Sequence, residues 1–161
     1  MSDSLRVVTL NIHKGLSQFN RRLVIHELRD GLRALAPDVV FLQEVQGLNQ
    51  RFAMRFAGCP VDPQHAFIAG DQWQHVYGVN AVYDHGHHGN AILSRFGFVS
   101  FTNEDVSDHR YERRGLLHSV VAVPGWRLRP RSCSDRCTHT QCRLRRQPGT
   151  ATTLCSRPRR S

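Results

Sequence analysis

VVTLNIHKG, at residues 7–15, and DVVFLQEV, at residues 38–45, carry the first evidence for the fold of this chain. Each contains a run of β-branched and other apolar residues followed by polar ones, a pattern typical of a buried strand and the loop after it. If the two strands are parallel neighbours, their polar ends lie on the same side of the sheet. The sequence therefore predicts that Asn11 and Glu44 converge.

The segment between these strands predicts a helix. Its apolar residues recur close to helical spacing, and Asn20 can cap its start. Pro37 marks its end, because the residue before a proline avoids helical dihedrals. Further strands are expected at 91–94, 98–101 and 116–123. Strands alternating with helices in this way indicate an α/β fold.

Asn11 and Glu44 offer the oxygen ligands of a hard cation. Mg²⁺ binds through a few carboxylate or carbonyl oxygens and keeps several waters, so a carboxylate and an amide at neighbouring strand ends suit it. The alternative is an asparagine in a turn and a surface glutamate that begins a helix. Spacing alone favours that alternative, and the wider sequence reverses the preference.

Three further stretches follow in order: YGVNAVY at 77–83, GHHGNAILSR at 86–95 and RRGLL at 113–117. Together with the two opening stretches they resemble the endonuclease/exonuclease/phosphatase superfamily, the DNase I-like Mg²⁺-dependent phosphodiesterases, and within it an uncharacterised bacterial branch. The resemblance covers about residues 5–123. It implies the N-terminal half of a DNase I-like four-layer α/β sandwich, in which two sheets face each other with helices outside.

The resemblance also implies a catalytic site. It makes Glu44 a metal ligand, with Asn11 as a second ligand that supports the metal and phosphate site, and Mg²⁺ as the cofactor, which Mn²⁺ could replace. It places Arg114 against the phosphate and His13 where relatives often carry another polar group. His88 directly precedes the strand that begins near Asn90, so we expect it to line the cleft as a further catalytic candidate. The implied reaction is phosphoester hydrolysis by a metal-activated water, on nucleic acid, a nucleotide, a phospholipid or an inositol phosphate.

Three neighbouring histidines, His85, His87 and His88, offer an alternative metal site. Imidazole ligands suit Zn²⁺ and Cu²⁺. A polar loop that is flanked by glycines and leads into a strand explains the same residues more simply. The sequence favours this second interpretation.

The second half of the family pattern is missing. The resemblance implies a His-Leu strand end, a Gly-Asp-x-Asn turn whose aspartate activates the water, and a terminal Ser-Asp-His whose histidine neutralises phosphoryl charge. No Asp-x-Asn occurs, and GDQW at 70–73 has tryptophan in the place of the asparagine. SDH at 107–109 precedes Arg114, so we interpret it as coincidence. We therefore expect a truncated, inactive form.

The composition changes near Gly125. Charges balance over 1–125, whereas 126–161 holds ten arginines against the single acid Asp135 and so carries the whole net charge of +9. The same segment has four of the five cysteines and too few large apolar residues to bury a core. We expect a truncated endonuclease/exonuclease/phosphatase domain at 1–125 and an Arg/Cys-rich disordered tail at 126–161. Such a tail has the composition that a GC-rich gene gives when it is read out of frame.

The tail also supports a non-enzymatic alternative, a basic protein that binds zinc or nucleic acid. Cys133, Cys137, His139 and Cys142 offer four Zn²⁺ ligands, although their spacing fits no common zinc finger. The arginines could bind nucleic acid electrostatically, with Trp126 as the single aromatic side chain for stacking. Accidental sequence is the favoured interpretation of these residues.

Targeting signals are not visible in the sequence. No apolar run approaches the roughly 20 residues that cross a bilayer, which argues against a membrane span. The N-terminus lacks the pattern of a secretory signal, so a cytoplasmic protein is expected. Thiols exposed in that compartment stay reduced, which argues against a disulfide framework.

Overall fold

The structure of the chain is a computed structural model that describes residues 4–107, 113–125 and 153–155. Its strands are β1 (Val7–Asn11), β2 (Val39–Asn49), β3 (Gln74–Tyr83), β4 (Gly86–Ser94), β5 (Phe98–Asp105), β6 (Gly115–Val121) and β7 (Thr153–Cys155). Its helices are α1 (Ile25–Leu35), α2 (Gln50–Arg55) and α3 (Gln64–Ala69). No helix in the described ranges is long and apolar enough to cross a membrane.

The strands form two sheets. The first has four strands in the order β1-β2-β4-β3, and the second has three in the order β5-β6-β7. β1 and β2 are parallel, with Asn11 opposite Gln43, and the other described pairs are antiparallel. The predicted strand–helix–strand unit is therefore confirmed, because α1 connects two parallel neighbours.

Two apolar cores hold the layers together. Successive residues of β2 point to opposite faces of the first sheet, so Val40 and Leu42 pack with α1 and α3. Val39 and Phe41 pack on the other face, against residues of β6. The resulting order is helices, first sheet, second sheet, which confirms the predicted α/β class.

α1 begins later in the chain than the sequence predicts. Its first residue is Ile25, so the prediction that Asn20 caps it is wrong. Asn20 lies instead in a left-handed turn with a φ of +55°. The Ser17 N–H donates to the Arg22 carbonyl at 2.8 Å, and the Arg22 N–H donates to Ser17 Oγ at 3.0 Å. These bonds close the turn, so the helix starts only after it. The predicted end is confirmed, because α1 ends just before the proline.

β3, α2 and α3 were not predicted from the sequence, and β4 and β5 are longer than the strands predicted at 91–94 and 98–101. Polar and apolar residues mix along β3, and this hides the alternation of a half-buried strand. α3 has six residues, too few for helical periodicity to show. β5 continues to Asp105, four residues beyond the strand predicted at 98–101. It is an edge strand, where exposed polar side chains are favourable.

β7 comes from the segment predicted as a disordered tail. Its three residues pair antiparallel with β6, with Cys155 opposite His118. The other residues of 126–161 lie outside the described ranges. The prediction of a disordered tail therefore falls largely outside the described residues, and so do all four candidate zinc ligands.

Candidate active site

The end of β1 and the middle of β2 bring three of the predicted residues into contact. Asn11 Nδ2 donates a hydrogen bond to Glu44 Oε1 at 2.8 Å. Asn11 Oδ1 accepts from the His13 backbone N–H at 2.9 Å, and His13 Nδ1 lies 3.3 Å from Glu44 Oε2. Both oxygens of the Glu44 carboxylate therefore have partners from β1 and the turn that follows it.

Glu44 lies in a β-bulge and not at the end of its strand, as the sequence analysis expected. β2 continues to Asn49, and within it Gln43 and Glu44 together face the single residue Asn90 of β4. Glu44 has a φ of +53°, a left-handed conformation that costs a non-glycine residue about 1 kcal/mol or more. Bulges re-aim side chains and are common beside active sites. This bulge breaks the regular alternation of β2 and lets the carboxylate meet Asn11.

A tight turn after β1 carries His13 to Glu44. His13, Lys14 and Gly15 are all left-handed, with φ values of +46°, +57° and +71°. Gly15 is buried, and a Cβ there would lie 2.6 Å from Gln64 Nε2. The glycine is therefore required both by the backbone conformation and by this close approach.

His88, on β4, lies within electrostatic range of the same carboxylate. Burial and the positive charge of Lys14 lower the pKa of His88, whereas the negative charge of Glu44 raises it. Its Nδ1 is buried and has no hydrogen-bond partner among the described residues. A neutral imidazole with an unpaired nitrogen can accept a proton or a hydrogen bond from a ligand.

Arg114 is half-buried and immediately precedes β6. Its backbone N–H donates to Ser107 Oγ at 2.9 Å. The next residue, Gly115, accepts a hydrogen bond from Asn90 Nδ2 at 3.0 Å, and Asn90 faces the Glu44 bulge. The second sheet thus connects the backbone at Arg114 to the bulge through Asn90.

The neighbouring histidines are divided between a turn and a strand. β4 begins at Gly86, so His87 and His88 lie on the strand and not in the predicted loop, whereas His85 lies in the preceding turn. His87 Nδ1 lies 3.0 Å from Tyr77 Oη. The described residues include no group of three or more His, Cys, Asp or Glu side chains that could hold a metal ion. The transition-metal interpretation of these histidines therefore gains no support.

Gln64 belongs to this site and was missed by the sequence analysis. It is the first residue of α3, and its buried side chain bonds both the Lys14 carbonyl and the Gln46 N–H. These partners lie 50 and 18 residues away in the chain. No local pattern signals such a contact, so only the folded structure reveals it.

The tripeptide SDH is only partly described. Ser107 Oγ donates to the Asp105 carboxylate and accepts from the Arg114 N–H, which closes the loop between β5 and β6. Asp108 and His109 lie outside the described ranges.

A histidine on α3 is expected to make the stability of the chain depend on pH. Burial, together with the nearby His75 and His87, lowers the pKa of His65 from 6.5 to about 4. Below 6.5 the unfolded chain binds a proton that the folded chain excludes, so the free energy of unfolding should fall as the pH drops toward 4. Urea denaturation at several pH values measures this slope. The slope should be smaller in His65→Phe, which keeps a ring against Tyr77, and an unchanged slope would contradict the assignment.

The sequence matches known proteins over most of its length. The sequence model of the endonuclease/exonuclease/phosphatase family matches residues 8–153. The uncharacterised protein YbhP of Escherichia coli (strain K12) is 43% identical over 122 residues, which cover 75% of this chain and 48% of YbhP. YbhP of Shigella flexneri matches with the same values. The chain thus spans about half the length of the curated relatives it matches.

Solved structures show the same fold. An endonuclease/exonuclease/phosphatase from Beutenbergia cavernae is 28% identical, with a TM-score of 0.56 over 75% of this chain and 35% of that one. A family protein from Leptotrichia buccalis is 15% identical, with a TM-score of 0.58 over 76% and 52%. D. rerio TDP2 complexed with single strand DNA product is 22% identical, with a TM-score of 0.52 over 84% and 49%. The predicted DNase I-like fold is confirmed, and the chain belongs to the endonuclease/exonuclease/phosphatase family.

Proposed function

We propose that residues 1–125 form the metal- and phosphate-binding half of a Mg²⁺-dependent phosphoester hydrolase. The observation that carries this proposal is the contact of Asn11 with Glu44 at 2.8 Å, on a bulge that strains Glu44 into this position. Strain of this kind persists only where the surrounding structure holds it in place, and it is concentrated at functional sites.

The donor set fits a magnesium ion that keeps most of its waters. Mg²⁺ sites in enzymes often use one or two carboxylates together with substrate phosphate. Glu44 would supply the carboxylate. Asn11 Oδ1 accepts one hydrogen bond, from His13, and so keeps a lone pair for a cation. Mn²⁺ accepts the same oxygen ligands. When bound, the metal would polarise the phosphoryl oxygen and lower the pKa of an attacking water.

The residues around Glu44 suit an anionic substrate. Lys14 brings positive charge close to His88, and the Arg114 backbone is connected to the bulge through Gly115 and Asn90. We propose that the Arg114 side chain adds a second positive charge there. Asn11 and His13 would orient the carboxylate. We propose a phosphoester substrate, and the complex of D. rerio TDP2 with single strand DNA product makes nucleic acid a natural first test. A nucleotide, a phospholipid or an inositol phosphate fits the same chemistry.

We also propose that the 161-residue chain is an inactive form. The chain has no Asp-x-Asn to hold a water-activating aspartate. None of the described contacts places another carboxylate beside Glu44. Metal binding can therefore survive in this chain where turnover does not.

Weak Mg²⁺ binding that depends on Glu44 is the expected result of a titration. Mg²⁺ prefers about six oxygens in near-octahedral geometry, and the protein supplies few of them here. Isothermal titration calorimetry measures the affinity. Glu44→Ala should abolish binding, whereas Glu27→Ala, which removes an exposed carboxylate paired with Arg22, should leave it unchanged. Tight stoichiometric binding, or binding that survives Glu44→Ala, would refute the proposed metal site.

A further inference from the structure

β2 loses one of its neighbours at the point where Glu44 lies. β1 ends at Asn11, opposite Gln43, whereas β2 runs on to Asn49. The backbone of β2 beyond Gln43 therefore lacks β1 as a partner on that side, although buried backbone groups need hydrogen bonds. A strained, left-handed Glu44 at such an edge requires support from another part of the chain.

The side-chain amide of Gln64 provides this support. Its Oε1 accepts from the Gln46 N–H at 2.9 Å, and its Nε2 donates to the Lys14 carbonyl at 2.7 Å. A primary amide offers a donor and an acceptor, as a peptide group does. Gln64 therefore takes the place that one peptide group of β1 would have if β1 continued alongside β2. Its side chain is buried, with 5% of the residue exposed, so both bonds are shielded from water.

The core of the domain fixes the position of Gln64. It begins α3, which is held by the fully buried Ile68 and Ala69. Gly15 packs directly against its amide, at a distance that leaves no room for a Cβ. The amide is thus held between the core, through α3, and the turn that carries His13.

We propose that Gln64 is a positioning residue for Glu44. Its amide joins the turn that carries His13, at Lys14, to β2, at Gln46, which lies two residues beyond Glu44. The described hydrogen bonds of Gln64 go to backbone groups and not to the Glu44 carboxylate. We therefore infer that it affects the metal site only through the position of Glu44. The inference rests on the proposed function, because it takes Glu44 as the metal ligand.

NMR spectroscopy of the metal-free chain tests directly whether Gln64 positions Glu44. In the full 161-residue chain, the side-chain NH₂ resonances of Asn11 report its bond to Glu44, and Glu44→Ala supplies their unbonded position. Gln64→Leu removes both amide bonds at similar size and should move these resonances toward the unbonded position. Gln64→Met, which is unbranched, should do the same and serves if the leucine variant does not fold.

The matched control is Ser94→Ala. Ser94 is also a buried polar residue, and its Oγ accepts from the Phe96 N–H at 3.0 Å. It ends β4, four residues beyond Asn90, which faces the bulge. Its loss should lower the urea midpoint without moving the Asn11 resonances. This separates a positioning effect from a general loss of stability.

Mn²⁺ affinity, measured by water-proton relaxation, is the second readout. Loss of a group that orients a ligand typically weakens metal binding about 10-fold or more, so Gln64→Leu should lower the affinity by this factor. Ser94→Ala should leave it unchanged. If the wild-type chain binds no Mn²⁺, the proposed metal site is wrong, and the Asn11 resonances alone decide whether Gln64 positions Glu44. Unmoved resonances in both Gln64 variants, or equal movement in Ser94→Ala, would overturn the inference.

Discussion

The 161-residue chain is expected to hydrolyse a generic phosphodiester at the background rate, with or without Mg²⁺. Hydrolysis requires a positioned metal, an activated water and neutralisation of phosphoryl charge. In the proposed site, Glu44 and Asn11 would supply part of the metal positioning, and Arg114 part of the charge neutralisation. Loss of a general base or of a charge stabiliser costs about 10²–10⁴-fold each, so loss of both should leave turnover undetectable. Release of nitrophenol from a bis-aryl phosphate measures it.

The control for this result is a longer protein in which the segment after Trp126 is translated from the alternative reading frame. If that frame encodes a His-Leu strand end and a Gly-Asp-x-Asn turn, its product should turn over the substrate with Mg²⁺, and Glu44→Ala should abolish the activity. Mg²⁺-dependent turnover by the 161-residue chain itself, lost in Glu44→Ala, would show that another residue, such as His88 or Asp108, acts as the base.

Leu93→Ala is expected to destabilise the domain by about 3 kcal/mol, because it removes a fully buried side chain and leaves a cavity. Leu93 lies on β4 in the core between the first sheet and the helices, with 0% of its surface exposed. Urea denaturation followed by circular dichroism measures the change in midpoint. The effect should be among the largest of any single apolar truncation, because β4 lies between β2 and β3 at the centre of its sheet.

The matched control is Leu35→Ala, the same chemical change at a leucine that is 56% exposed at the end of α1. Its effect should be within about 0.5 kcal/mol, as for other surface positions. Equal destabilisation by the two substitutions would mean that the described core does not hold the domain together.

Local chemistry explains how much of the fold was predictable. β1 and β2 were predicted because each is a short apolar run that is visible in the sequence. The end of α1 was predicted because a proline restricts the backbone of the residue directly before it. The start of α1 was missed, because the hydrogen bonds between Ser17 and Arg22 override the capping preference of Asn20. β3 was missed because its polar and apolar residues do not alternate regularly. It is recognisable as a strand only from its pairing with β4.

The order of motifs along the chain was enough to predict the family of the protein and to name Asn11 and Glu44 as candidate site residues. The order of strand, helix and strand along the chain predicted parallel neighbours, whose following polar residues lie on the same side of the sheet. The folded structure was needed to show that Glu44 is left-handed in a bulge and that the His13 ring lies beside its second oxygen. It was also needed to show that Gln64 links the turn after β1 to β2, because these two bonds join residues 50 and 18 positions apart and form only once α3 has packed against the sheet.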